Sequence, residues 1–230
     1  MTPNRTAGPA PQRRAPAVVL LLPALAAALA LGGCTLSAPD PPTPSSATSP
    51  TAGSTVKTSK FSTLDAAGVE TIRSTGTARL DMSSGTLDKE SVRVTPDSYG
   101  PEINTRGSGR INLTIVAPNG EITGETDRIR FNTTDKRADF SEVTYFLTAA
   151  SAEEFFALIR DGVERYGIDA DSAERWISST ESDPEGKSDF SITSGTATGL
   201  DVNYDLRYDG GKDTQVIIVH VRPAAGNGGG

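Results

Sequence analysis

Residues 200–209 alternate without a break. Leu200, Val202, Tyr204, Leu206 and Tyr208 are apolar, and Asp201, Asn203, Asp205, Arg207 and Asp209 between them are polar. Successive side chains of a strand point to opposite faces, so this pattern demands a strand with one face on a core and the other toward water. Such strands belong to antiparallel sheets covered on one side. Asp209-Gly210-Gly211-Lys212 then turns the chain. Residues 215–222 follow as a continuous apolar run, which predicts a central strand buried on both faces.

The same period of two recurs upstream. Ala78, Leu80 and Met82 alternate with Thr77, Arg79 and Asp81, and Ile111, Leu113 and Ile115 form another apolar face. Pro118-Asn119-Gly120 signals a hairpin, with a partner strand through Ile122 and then Ile129 and Phe131. Residues 140–147 read as a further strand, with Glu142 on the same side as Phe140. Val92 and Val94 predict a short strand before Pro96, residues 99–109 read as a loop, and Phe190 with Ile192 opens one more strand.

Helical spacing appears in two places. Ser62 with Asp65 mimics a capping box, and Phe61, Leu64, Gly68 and Ile72 share a face, which predicts a short helix over 61–73. Ser151 with Glu154 is a stronger capping box. Phe155, Ile159, Val163 and Tyr166 follow at helical spacing, and Gly167 stands where a C-terminal cap belongs. A second helix, capped by Asp169 or Asp171, carries Ala173, Trp176 and Ile177 on one side. Strands, a helical hairpin, then strands predict an α+β fold. It is a single domain over 60–223, with a large antiparallel β-sheet and the hairpin, about 151–178, packed on one face.

The first hairpin helix has a wide apolar arc. Leu158, Phe155, Tyr166, Ile159, Val163 and Phe156 span about 160°, more than one sheet requires. Phe156 and Leu158 therefore need a second neighbour. It is either the next helix, through Trp176 and Ile177, or an apolar ligand in a cavity lined by Phe155, Phe156, Leu158, Ile159 and Trp176.

The N-terminal region sets location. Arg5, Arg13 and Arg14 precede an uncharged apolar stretch from Ala15 to Leu31, and no acid occurs before Asp40. A basic start, an apolar middle and small residues at the end make a secretory signal. The stretch is short for a spanning helix, which needs about 20 apolar residues. Its end, Leu31-Gly32-Gly33-Cys34, resembles the lipobox of bacterial lipoproteins, of the actinobacterial kind, with Gly32 where Ala or Ser is commoner. The resemblance implies cleavage before Cys34, a diacylglycerol on the Cys34 sulfur, N-acylation of the new terminus, and attachment to the outer face of the cell membrane. Two acyl chains give stable attachment where one is marginal. The implied organisation is a signal peptide over 1–33, a lipidated Cys and Pro/Ser/Thr-rich disordered tether over 34–59, the domain over 60–223, and a Gly-rich tail over 224–230.

Removing the three signal arginines from 22 basic residues leaves 19 against 29 acids, a net −10. So acidic a chain is no nucleic-acid binder. Its partners are the membrane, through the Cys34 lipid, and an apolar ligand or an envelope protein; nothing in the sequence signals an oligomeric state. Cys34 is the only cysteine, so stability must come from the core. No cofactor or metal is expected beyond the covalent lipid. The single histidine, His220, lies mid-strand with no Gly-x-Ser-x-Gly elbow to serve. Asp169, Asp171 and Glu174 break the calcium-loop pattern at Ala173 and cap a helix instead. No catalytic residue is assigned. The expectation is a non-enzymatic ligand- or partner-binding module, similar only in outline to the lipid-carrier lipoproteins of actinobacteria. The alternatives are an envelope assembly factor or a carboxylate-based hydrolase.

Overall fold

The computed structural model describes residues 60–225. Residues 1–59, on which the expected signal segment, lipidated Cys34 and tether fall, and residues 226–230 of the expected tail lie outside the described residues. The buried hydrophobic side chains run from Leu64 to Val221, and the described residues form one compact unit with its own core.

The elements are α1 (Ala66–Thr75), β1 (Thr77–Asp81), β2 (Leu87–Asp88), β3 (Glu102–Asn104), β4 (Ile111–Ala117), β5 (Gly120–Thr126), β6 (Arg128–Asn132), β7 (Asp139–Phe140), β8 (Glu142–Ala149), α2 (Ala152–Tyr166), α3 (Ala170–Ser182), β9 (Lys187–Ser191), β10 (Leu200–Asp209) and β11 (Gln215–Pro223). A six-stranded antiparallel sheet has the order β3-β6-β8-β11-β10-β9. The hairpin of α2 and α3 lies on one face of it, with α2 against β8, β10 and β11. The α+β domain with a helical hairpin on a large antiparallel sheet is therefore the observed fold.

The hairpin forms as its residues dictate. The Ser151 hydroxyl accepts the Glu154 N–H at 3.1 Å, and the Glu154 carboxylate accepts the Ala150 N–H at 2.7 Å. Gly167 ends α2 in the left-handed region, its N–H returning to the Val163 carbonyl. Asp169, not Asp171, caps α3, accepting the Ser172 N–H at 2.7 Å. Phe155 and Ile159 are wholly buried, each contributing about 1.5–3 kcal/mol by transfer from water. Gly162 brings α2 onto the sheet: a Cβ there would lie 2.6 Å from the Tyr204 ring.

Several sequence expectations are corrected. A second sheet, β1-β4-β5, pairs β1 parallel to β4; a contact between strands so far apart in the chain leaves no local trace. The first helix starts at Ala66 with Asp65 as its cap, accepting the Gly68 N–H at 2.9 Å. Ser62 instead pairs along β1, where its hydroxyl accepts the Arg79 N–H at 3.0 Å. Val92 and Val94 sit in turns that return to the Lys89 carbonyl rather than in a strand. Lys89 itself is fully buried, its ammonium donating to the carbonyls of Pro96 at 2.7 Å and Thr134 at 2.8 Å, which pins two loops together. The stretch read as a loop over 99–109 contains β3, a strand made by its pairing to β6. β11 is central but buried on one face only: Val216, Ile218, His220 and Arg222 are half-buried on the side without helices. Glu142 does not share a side with Phe140. Ser141 separates β7 from β8, and both Ser141 groups, N–H and hydroxyl, bond the Asn132 carbonyl. The break turns Glu142 to the open face while Phe140 stays buried.

Candidate ligand-binding cleft

β5 and β6 are nearly one strand, broken at Asp127. β6 pairs with β8, whereas β5 swings away over the helix-covered side. Thr126 fills the parting. Its buried hydroxyl donates to the Arg128 carbonyl at 2.9 Å and accepts the N–H groups of Arg128 at 3.1 Å and Phe146 at 3.2 Å. Gly124, in mid-strand, permits the crossing; a Cβ there would stand 2.7 Å from the Tyr145 ring. Glycine inside a strand marks such approaches.

Between the β5 edge and α2 lies an open cleft of about 470 Å³, within the range of small-molecule sites. One wall of it is a stripe of α2: Glu154, Leu158, Asp161 and Arg165, spaced to share a face. Leu113, Leu147 and Tyr204 supply apolar surface, and Arg110, Glu125 and Thr148 stand toward the β8 end. The other end is bolted shut. The Arg165 guanidinium reaches the Thr123 hydroxyl at 2.5 Å and the Asp161 carboxylate at 3.0 Å. The Tyr166 hydroxyl accepts the Thr123 N–H at 3.2 Å and donates to the Thr123 carbonyl at 3.1 Å.

That last contact reveals the direction of the β5 main chain. Both polar groups of Thr123 point away from β4, toward α2. Two residues on, Glu125 repeats the orientation, since main-chain groups alternate along a strand. Its partner across β4, Asn112, agrees: its N–H is spent on the Gly76 carbonyl at 2.8 Å, on the β1 side. The N–H and C=O of Glu125 therefore face the cleft.

Behind the cleft three phenols gather. Tyr145 is fully buried near Tyr166 and Tyr204, and its hydroxyl makes no hydrogen bond of acceptable geometry. Burial pushes the phenols of Tyr145, Tyr166 and Tyr204 upward, so they stand as neutral hydroxyls at physiological pH.

The five residues expected to line an apolar cavity divide. Phe155, Phe156, Ile159 and Trp176 are buried in the core. Trp176 stacks edgewise on Phe155 at 5.8 Å and on Phe156 at 6.3 Å, and donates to the Ser188 hydroxyl at 2.9 Å. Phe156 thus takes α3 as its second neighbour. Leu158, half-buried, turns to the cleft. The wide apolar arc of α2 pointed to it. Arg110, Glu125 and Thr148 carried no sequence signal; the interior glycine at 124 was the one available clue.

A second polar cluster sits on the open sheet face. Glu142 accepts from Asn132 Nδ2 at 2.6 Å, from the Thr144 hydroxyl at 2.6 Å and from Arg222 Nε at 2.7 Å. His220 Nδ1 lies 3.1 Å from Glu142 Oε1, within ion-pair range. Burial raises the Glu142 pKa, but His220, the Thr144 hydroxyl and the Arg222 charge outweigh it and hold the carboxyl at about 2. Every member is a partner of another. Among the described residues no group of three His, Cys, Asp or Glu side chains is placed to hold a metal ion. Asp169 caps α3 and Glu174 pairs with Arg160 at 2.9 Å. Asp209 is held in its turn by Lys187 at 3.0 Å and Lys212 at 3.2 Å.

Searches against protein-family models, curated proteins and solved structures find no match to this chain.

Proposed function

We propose that this chain is a lipid-anchored protein of the outer face of the cell membrane. In this reading Cys34 carries the acyl chains and the domain is a non-enzymatic module binding a small ligand in the cleft between β5 and α2. The observation that carries the ligand half is the cleft itself, about 470 Å³ with Leu113, Leu147, Leu158 and Tyr204 beside charged groups at one mouth. Apolar surface with a few placed polar groups is the usual make-up of a ligand site. The tight core under α2 favours this cleft over an acyl cavity between helix and sheet.

The test is a thermal-shift screen of residues 55–230 against amino acids, short peptides, saccharides and fatty acids, repeated on Leu158→Trp, which fills the cleft. A ligand at a hundred times its Kd stabilises by about 2.7 kcal/mol. The reading expects a stabilising ligand whose effect Leu158→Trp removes. Stabilisation that Leu158→Trp leaves intact would place the site elsewhere.

A second reading, an assembly factor docking through the open sheet face, is favoured by one observation. Phe146 lies half-buried there between Arg128 and Arg130, whose guanidiniums stand 5.2 and 5.5 Å from its ring centre.

A further inference from the structure

We infer that the ligand of this cleft is a short zwitterionic peptide, bound extended as an added strand on the free edge of β5. The inference rests on the cleft being the ligand site and concerns what the cleft selects. Its first support is the main chain. Glu125 presents both an N–H and a C=O to the cleft, the pair that an extended backbone uses to join a sheet edge. Tyr166 already occupies the equivalent pair on Thr123, so the run of free edge is short and the pairing it offers is local.

Charge is the second support. Arg110 is exposed and donates to the neutral Thr148 hydroxyl at 2.7 Å; among the described residues no carboxylate lies within ion-pair distance of it. Glu125 and Glu154 likewise meet no cation among the described ion pairs, although Glu154 accepts the Ala150 N–H through one oxygen. None of the fifteen ion-pair contacts among the described residues involves these three charges, which stand around one opening. A ligand with a carboxylate for Arg110 and an ammonium for Glu125 or Glu154 completes all of them. A fatty acid has the anion but neither the cation nor the amides. A neutral saccharide has neither charge. Only a peptide brings both charges and an amide donor–acceptor pair between them.

Size and side-chain surface agree. The cleft is bolted at Arg165 and Tyr166 and open at Arg110, so it admits a ligand of a few residues from that end. Leu113, Leu147 and Leu158 offer contact to small apolar side chains.

The experiment is a nitrogen-15 NMR titration of residues 55–230 with tri-L-alanine, its C-terminal amide, its centrally N-methylated form, and an uncharged trisaccharide. The inference expects saturable amide shifts centred on Glu125 with tri-L-alanine. Amidation of the C-terminus should weaken binding about tenfold, and Arg110→Ala should weaken the parent peptide equally while leaving the amidated form unchanged. N-methylation should abolish the Glu125 shift. Tri-L-alanine binding that is indifferent to N-methylation, or that moves other amides, overturns the added strand. Shifts around Leu158 and Tyr204 with the trisaccharide but not with tri-L-alanine overturn the peptide and leave the cleft as a site. No shift in the cleft with any of the four overturns both readings.

Discussion

Phe156→Ala separates a filled core from an acyl cavity. Phe156 is 8% exposed and meets Trp176 edge-on with centroids 6.3 Å apart. Trp176 is in turn held by Phe155, by Tyr208 at 6.1 Å and by its bond to Ser188, so the surroundings have little freedom to collapse into the space a ring leaves. Phe→Ala at such sites costs about 3–5 kcal/mol, the loss of transfer energy plus the void. At roughly 2–4 °C per kcal/mol for a domain of 150–250 residues, the melting temperature should fall by about 6–20 °C. Leu158→Ala, at the cleft wall, should cost about 1 kcal/mol or less, because that side chain is already partly in water. Urea unfolding of residues 55–230 followed by circular dichroism, with displacement of a fluorescent fatty acid on the same samples, measures both. A loss below about 1 kcal/mol for Phe156→Ala, together with tight fatty-acid binding by the parent, would refute the argument and restore the cavity.

Three further outcomes are expected. Because the folded Glu142 carboxyl is held at about 2, below its ordinary 4.5, its contribution is present in full above pH 4.5 and lost as pH falls toward 2; urea midpoints across that window should show the loss, and Glu142→Gln should flatten it while costing about 1–3 kcal/mol at neutral pH. Gly162→Ala sets a methyl 2.6 Å from the Tyr204 ring and should destabilise by about 1–3 kcal/mol through overpacking, read as a lowered melting temperature. If Cys34 is the lipid site, Cys34→Ser should abolish metabolic labelling of the protein with palmitate; label retained by the variant removes the anchor.

What the sequence revealed and what it hid divide along a physical line. α2 was legible because its signals are local: a capping box at Ser151, helical spacing from Phe155 to Tyr166, and a glycine stop. β10 was legible because one covered face enforces strict alternation. β3 was hidden because three residues between turns become a strand only when β6 lies beside them. The parallel pairing of β1 with β4 joins Thr77 to Asn112, and no local pattern encodes such a contact. β11 looked buried on both sides because its outward residues include Val216 and Ile218; apolar identity does not reveal that no helix covers them. For the cleft, Leu158 was flagged by the width of the α2 apolar arc. Glu125 was not, because what it offers is the direction of its main chain, set by strand pairing and independent of its side chain.

Amide hydrogen exchange at Glu125 tests the account at its centre, the free strand edge inside the cleft. Gly124 and Ile122 point their N–H groups at β4, opposite Leu113 and Ile115, and should exchange orders of magnitude slower than an unstructured amide. Glu125, flanked by protected neighbours, should exchange within about tenfold of the unprotected rate, and should slow when tri-L-alanine is present. Protection at Glu125 equal to that at Gly124 in the free protein would mean that its N–H is spent within the fold, and would contradict the account.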